Sequence, residues 1–284
     1  MTQKNKIVTL ATSRNRKEST LQSLHSIIRT CHAAGISATH FIVDDNSNDG
    51  TPGAILQQFP QVRVLHGDGK LYWSRGMQFG FNYLKDICPF DFLVAYNDDC
   101  IFNPNCLRLL LDGFDAQYCK VGIVVGTLVD PNSGLYSYGG RMLRWRSKWL
   151  PPSFSLAKPS DTSYKEVDSL NMNICCISKG LIDKLGFLGK HYHHSGADFD
   201  YGLRTKSIGY KVLLAPSTVG CCAENSFSGT SREKVLSPVV RIRRIFSIKE
   251  YPLLQTFVYF RSHGGYLWPF WLVIFYLSRF CHLQ

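Results

Sequence analysis

Four short apolar runs in the first hundred residues, at 7–12, 39–43, 62–65 and 90–96, alternate with stretches whose apolar residues recur at helical spacing. Alternation of this kind builds βαβ units around a mostly parallel sheet, since each strand needs a crossover before the next can run the same way. Three of the runs break off into polar or acidic segments: SRNRKES at 13–19, DDNSNDGTPG at 44–53 and NDD at 97–99. Ligands of such sheets bind beyond the carboxyl ends of the strands, so the three segments are expected to converge on one edge. The remaining run leads into the glycine-rich HGDGKLYWSRG at 66–76.

Thr20 or Ser19 is placed to cap a helix carrying Leu21, Leu24, Ile27, Ile28 and Cys31 on one face, with Gly35 ending it. A second helix is expected over residues 76–86. Further on, Val121–Val129 reads as a buried strand, residues 171–177 as another, and Lys179–Leu185 as a short helix. The aromatic, glycine- and arginine-rich YSYGGRMLRWRSKWLPPSF reads as a substrate-facing excursion. HYHHSGADFDYGLRTKSIGYKVLLAP reads as loop, helix and strand.

With 45% hydrophobic residues in 284, the chain can bury a sizeable core, which excludes disorder and a small disulfide scaffold. Its 32 Lys and Arg against 21 Asp and Glu leave +11, an excess that suits an anionic partner: nucleic acid, a phosphorylated small molecule or an acidic membrane. No nucleic-acid-binding motif accompanies the charge, so nucleic acid is not expected. The ten cysteines, from Cys31 through Cys119 to Cys281, include adjacent pairs at Cys175–Cys176 and Cys221–Cys222 but no C-x-x-C, so free thiols in a reducing cytoplasm are expected over disulfides or structural zinc. The first residues, MTQKNK, run into a strand without an apolar signal region, which agrees with a cytoplasmic location.

Residues 266–280, YLWPFWLVIFYLSRF, are strongly apolar, interrupted by Pro269 and closed by Arg279. A spanning helix needs about 20 apolar residues. The segment is therefore expected to lie on the inner face of the cell membrane, with Trp268, Phe270, Trp271 and Phe275 in the interface and Arg241, Arg243, Arg244 and Lys249 drawn to anionic headgroups. The alternative is a C-terminal helix packed on the protein's own core.

Three acidic groups carry candidate chemistry. Asp98 and Asp99 at a strand end suit a hard divalent cation, which takes one or two carboxylates plus substrate phosphates. Asp44 is placed to accept from a nucleobase imide or a ribose hydroxyl, or to form a loop-stabilising turn, the role expected of Asp49 beside Gly50. In GADFDYGLR, Asp200 is spaced to pair with Arg204, and Asp198 either caps the helix or acts as a general base.

TSRNRKESTLQSL, FIVDDNSNDGT, YNDDC and HHSGADFDYGLRTKSIGYKVLLAP, in that order and spacing, resemble the family-2 inverting glycosyltransferases of the GT-A fold; GDGKLYWSRGMQFGF resembles the Gly-Trp loop of a rhamnosyltransferase-like subgroup. The likeness covers residues 5–225, with a looser one in RSHGGYLWP. It implies a Rossmann-like, mostly parallel sheet with flanking helices. A catalytic domain would span 1–235, its nucleotide-sugar half ending near residue 100, and residues 236–284 would form a helical, membrane-facing extension.

The resemblance also assigns roles. Asp44 would bind the nucleobase beside Thr12, Arg14 and Asn15; Trp73 and Ser74 would lie by the donor. Asn97, Asp98 and Asp99 would stand as the D-x-D motif, with Asn97 replacing the first Asp and Asp99 holding Mg²⁺ or Mn²⁺. Asp198 would be the base, with Ala197 replacing the usual preceding Glu. Where many relatives carry a metal-binding His, this chain reads CCAENSFSG, with Glu224 as a candidate substitute; His191, His193 and His194 are candidates for acceptor or diphosphate contacts. The implied reaction moves a sugar from a dTDP- or UDP-linked donor, with dTDP-rhamnose favoured, to a polyprenyl-linked glycan in bacterial surface polysaccharide (O-antigen) synthesis. A sugar nucleotidyltransferase would need a glycine-rich phosphate loop after the first strand, where this chain has SRNRKES, and a non-catalytic membrane-surface protein would leave the acidic strand ends without a role.

Overall fold

The computed structural model describes residues 5–115, 120–233 and 235–281; the first four residues of the N-terminal lead, Cys119 and the Cys281 side chain lie outside the described set. Strand β1 (Ile7–Ser13) is buried at every residue because it sits inside the sheet and is covered on both faces. Val8 and Leu10 face Met77, Phe81 and Leu84 of α3 (Tyr72–Ile87), while Ile7 and Ala11 face Leu21, Leu24, Ile27 and Ile28 of α1 (Lys17–Ala33), as strand alternation requires.

Strands β2 (Ala38–Asp44) and β4 (Phe92–Tyr96) pair in parallel with β1, and β3 (Arg63–His66) in parallel with β2, giving the order β3-β2-β1-β4, with α2 (Thr51–Gln58) in the crossover between β2 and β3. This is the expected βαβ layout. The short β5 (Ile101–Phe102) and α4 (Cys106–Asp115) lead to β6 (Val121–Val129) and β7 (Tyr136–Tyr138). There follow β8 (Gly140–Leu143), β9 (Phe154–Leu156), β10 (Lys165–Val167), β11 (Ser169–Leu170) and β12 (Ile174–Ser178), then α5 (Lys179–Leu185), α6 (Ala197–Ser207) and β13 (Lys211–Cys221).

The full order is β10-β13-β6-β12-β4-β1-β2-β3; β12 runs antiparallel between β4 and β6, and β5 and β7 pair at the margins. The excursion after β6 folds largely into a separate antiparallel sheet, β11-β8-β9. The architecture is a GT-A-like α/β fold.

Both early helices start before their expected positions. The N-cap of α1 is Arg16, and Thr20 is instead buried inside the helix, its hydroxyl bonded to the Arg16 carbonyl. Helix α3 begins at Tyr72, because the Asp45 carboxylate accepts the backbone N–H groups of Gly69, Leu71 and Tyr72 from across the sheet. A cap supplied from 26 residues away leaves no local signal.

Three C-terminal helices follow: α7 (Pro238–Ile245), α8 (Leu253–His263) and α9 (Trp268–Cys281). Pro269 does not interrupt α9. It lies in the first turn, where its missing N–H breaks no helical hydrogen bond. Phe275 packs on Phe260 and Tyr251, and Tyr276 stacks on Phe246, so α9 is partly applied to the protein. Phe270, Val273, Ile274 and Leu277 form an outward stripe, whereas Trp268, Trp271 and Phe275 are half-buried. Among the described residues, no helix is long and apolar enough to cross a membrane.

Candidate active site

The carboxyl ends of β1, β2 and β4 bring the three polar segments together. Asn15 ties the first to the second: its N–H donates to Ser47 Oγ at 2.8 Å and its side-chain carbonyl accepts from the Asn48 N–H at 2.8 Å. Arg16 ties the first to the third, its guanidinium reaching Asp98 at 3.2 Å and Asp99 at 2.7 Å. Asp49 accepts from the N–H groups of Thr51 and Lys17, the loop-stabilising role expected of it.

Asp44 is buried at the end of β2. One oxygen accepts the Ser47 N–H at 3.0 Å, and Oδ1 has no partner. A buried carboxylate oxygen left unpaired is costly, so it marks a place where a ligand N–H or O–H fits. Beside it, Arg14 donates to the Gly69 carbonyl, which joins the first segment to the glycine-rich loop. Thr12 lies under Gly76 so closely that a Cβ there would stand 2.4 Å from its hydroxyl, bringing α3 down onto the end of β1.

Trp73 and Ser74 occupy the first turn of α3. The Trp73 indole N–H donates to Asn97 Oδ1 at 2.8 Å, and the Ser74 N–H donates to the His193 carbonyl at 3.0 Å. The 189–196 loop is thereby fixed to the sheet edge. The opposite side of this loop is braced by α8, where Gln255 accepts the His193 N–H and donates to the Ser195 carbonyl. His194 is largely enclosed with Nδ1 unpartnered; burial, then Lys249 and Arg16, push its pKa down. His193 meets the Arg75 guanidinium at 2.7 Å, and His191 is exposed.

Asp98 is 5% exposed and receives Arg16 and the Thr20 hydroxyl; burial pushes its carboxyl up to about 6, against the pull of Arg16. Asp99 is more open, at 27% of its side chain. Two adjacent carboxylates are the hard oxygen donors that a divalent ion takes, and in this structure the Arg16 guanidinium offsets their charge. Glu224 is exposed and its N–H is bonded to Asp130; the groups in contact with Asp99 Oδ1 are the thiols of Cys100 and Cys222.

Asp198 lies in the first turn of α6, whose N-cap is Gly196 at φ 81° rather than Asp198 itself. Its Oδ1 accepts the Phe199 N–H at 2.9 Å. Burial raises its pKa above the ordinary carboxylate range, opposed by that N–H, by Asn171 and by Arg141. Arg141 Nε in turn holds Asn171 Oδ1 at 2.7 Å. The segment after Asn171 reaches the 97–99 loop, where the Asn173 carbonyl accepts the Asn97 N–H. Asp200 pairs with Arg204 at 2.7 Å as its spacing implies, and also with His263 of α8 at 2.9 Å.

Arg16, Asp45, Asn171, Arg141 and the two thiols carry no role in the sequence reading. Arg16 had a signal, being a cation between a strand and a helix that faces acidic strand ends; the others depend on contacts distant in sequence.

The region 10–177 matches the family model described as glycosyl transferase family 2. Two Mycobacterium tuberculosis proteins, from strains CDC 1551 / Oshkosh and ATCC 25618 / H37Rv, each named N-acetylglucosaminyl-diphospho-decaprenol L-rhamnosyltransferase, are 22% identical over 195 residues. That alignment takes in 62% of this chain and 63% of theirs, so the chain spans under two thirds of the length of these curated relatives. Among solved structures, mannosyltransferase PcManGT from Pyrobaculum calidifontis, in complex with GDP-Man and Mn²⁺, superposes with a TM-score of 0.55 at 15% identity, over all of this chain and 71% of that one. With more than half of its length matched to the family model, and a fold to suit, the chain belongs to glycosyl transferase family 2.

Proposed function

We propose that the protein is an inverting glycosyltransferase that moves a sugar, with L-rhamnose from a dTDP donor as the first candidate, onto a polyprenyl-diphosphate-linked glycan. One observation carries the reading: the polar ends of three parallel strands meet at one sheet edge, where the buried Asp44 Oδ1 lacks a partner and Asp98 and Asp99 share the Arg16 guanidinium. The names of the mycobacterial relatives support the donor and acceptor classes.

In this account Asp44 accepts the imide N–H of a thymine or uracil base, with Thr12, Arg14 and Asn15 shaping the pocket. Asp99, with Asp98 beside it, would hold a divalent cation, Mg²⁺ or Mn²⁺ being what the family resemblance implies, which when bound offsets the charge of the leaving diphosphate. Trp73 and Ser74 border the sugar, and His194, with Arg16 and Lys249 near, suits the diphosphate. Asp198, raised by burial, takes the proton of an acceptor hydroxyl; the oxygen bonds to the anomeric carbon as the bond to the nucleotide breaks on the opposite face.

Residues 1–235 would be the catalytic unit and 236–284 an extension, one that also braces the acceptor-side loop through Gln255. The outward stripe on α9 and the basic face of α7 suit the inner, anionic membrane surface where a polyprenyl substrate resides. The test is incubation of the purified protein with dTDP-rhamnose and UDP-sugars, Mn²⁺ and a polyprenyl-diphospho-N-acetylglucosamine. One added deoxyhexose mass in the lipid fraction is expected, and an unchanged acceptor with every donor would overturn the reading.

A further inference from the structure

Strands β5 and β13 pair antiparallel, with Phe102 opposite Gly220 and Ile101 opposite Cys221. Continued by one step, this register sets Cys222 across from Cys100. The approach is closer than ordinary side chains allow: a Cβ on Gly220 would stand 2.2 Å from the Ile101 carbonyl oxygen, so glycine there is what admits the pairing. Two thiols separated by 122 positions thus come to one spot, immediately after Asp99.

Both aim at the same atom. Cys222 Sγ lies 3.6 Å and Cys100 Sγ 3.8 Å from Asp99 Oδ1, and the three ligand atoms lie within 4.8 Å of one another. A tetrahedral zinc site, with Zn–S of about 2.3 Å and Zn–O of about 2.0 Å, spaces its oxygen and sulfur ligands about 3.5 Å apart. The cluster is already near that spacing. Arg16 engages Asp99 through Oδ2, so the oxygen facing the thiols is not the one in the ion pair. Both cysteines are buried while the Asp99 side chain is partly open, which leaves one side for an entering ion and for a further ligand from solvent or substrate.

We propose that Asp99, Cys100 and Cys222 form a mixed carboxylate and thiol cation site that takes a thiophilic divalent ion such as Zn²⁺ in preference to Mg²⁺. Thiolate ligands select zinc, cadmium and cobalt over hard cations, for which an all-oxygen set is better. On binding, the metal replaces the thiol protons, which leave to solvent. The inference deepens the role of Asp99 as cation ligand, on which it rests, and predicts that the ion there is bound through sulfur as well as oxygen.

Ligation is read directly, without sugar transfer, on the full-length reduced protein titrated with Co²⁺. A thiolate-to-cobalt charge-transfer band in the near ultraviolet is expected, together with the intense visible bands of tetrahedral cobalt, and Zn²⁺ should erase both. Cys222→Ser should lose most of the band and bind Zn²⁺ at least about tenfold more weakly, while melting at the wild-type temperature. Cadmium-113 NMR of the wild-type protein needs no variant and should give a sulfur-ligated shift. A weak, octahedral cobalt spectrum shared by wild type and Cys222→Ser, or an all-oxygen cadmium shift, overturns the thiol ligation while Asp99 remains a cation ligand. Absence of cobalt binding, even with a nucleoside diphosphate present, overturns both.

Discussion

Replacing Asp45 by alanine removes a carboxylate, 3% exposed, that accepts three backbone N–H groups of one loop: Gly69 at 2.7 Å, Leu71 at 3.0 Å and Tyr72 at 3.3 Å. A hydrogen bond to a charged acceptor contributes about 1.5–3 kcal/mol, and a buried N–H left unpaired costs a similar amount. Counting only the two shorter bonds, at the lower bound, gives a loss of about 3 kcal/mol. For a chain of this length the unfolding entropy is roughly 0.6 kcal/mol per kelvin, so the melting temperature should fall by about 5 °C. Asp45→Asn keeps one acceptor but sets an NH₂ against the other donors, and should recover less than half of the loss. Asp49→Ala also removes N–H acceptance, but from an exposed site where water substitutes, so its effect should be far smaller. The assay is thermal melting of the three variants beside wild type. Because the start of α3 carries Trp73, donor affinity should weaken in parallel in Asp45→Ala. An Asp45→Ala protein that melts within about 1 °C of wild type, or together with Asp49→Ala, would refute the long-range cap.

Asp198→Asn should nearly abolish turnover and leave donor affinity within a few-fold, since a base acts on the acceptor; the two are measured by initial rates and nucleotide binding. Burial raises the Asp198 pKa above its ordinary 3.8, and a base works only when ionised, so the wild-type rate should rise with pH through that elevated value, with an acid limb above pH 3.8 in the rate profile. Arg16→Ala leaves Asp98 and Asp99 without their cation, so the metal-free variant should melt below wild type and gain more than wild type does when Mn²⁺ is added. Liposome flotation should show binding that needs anionic lipid, falls with salt and weakens on truncation after residue 240; equal recovery of full-length and truncated protein in the unbound fraction would return the α9 stripe to a packing role.

The first hundred residues were legible because their signals are local. The continuous apolar burial of β1, the Leu21 to Cys31 face of α1 and the polar or acidic breaks after β1, β2 and β4 all follow from residues near one another. Helix starts were less legible, since the α3 cap belongs to Asp45, just past the end of β2, and the Thr20 hydroxyl serves inside α1 rather than at its end. The turn of β12 against the parallel sheet and the β11-β8-β9 sheet rest on non-local pairing, which an apolar run does not encode. In the site, the carboxylates Asp44, Asp98 and Asp99 announce themselves at strand ends. The unpaired state of Asp44 Oδ1, the Arg16 bridge and the meeting of Cys100 with Cys222 come only from tertiary geometry, as scattered cysteine spacing gives no hint of a register between β5 and β13.

Direct displacement at the anomeric carbon, with one carboxylate base and a leaving nucleotide diphosphate, inverts the configuration of the transferred sugar. Its most direct test is the anomeric configuration of the new linkage, read from one-bond carbon–hydrogen couplings in the NMR spectrum of product made from an anomerically pure donor. A linkage of configuration opposite to the donor's is expected. A product that keeps the donor's configuration would require two displacements and would contradict it.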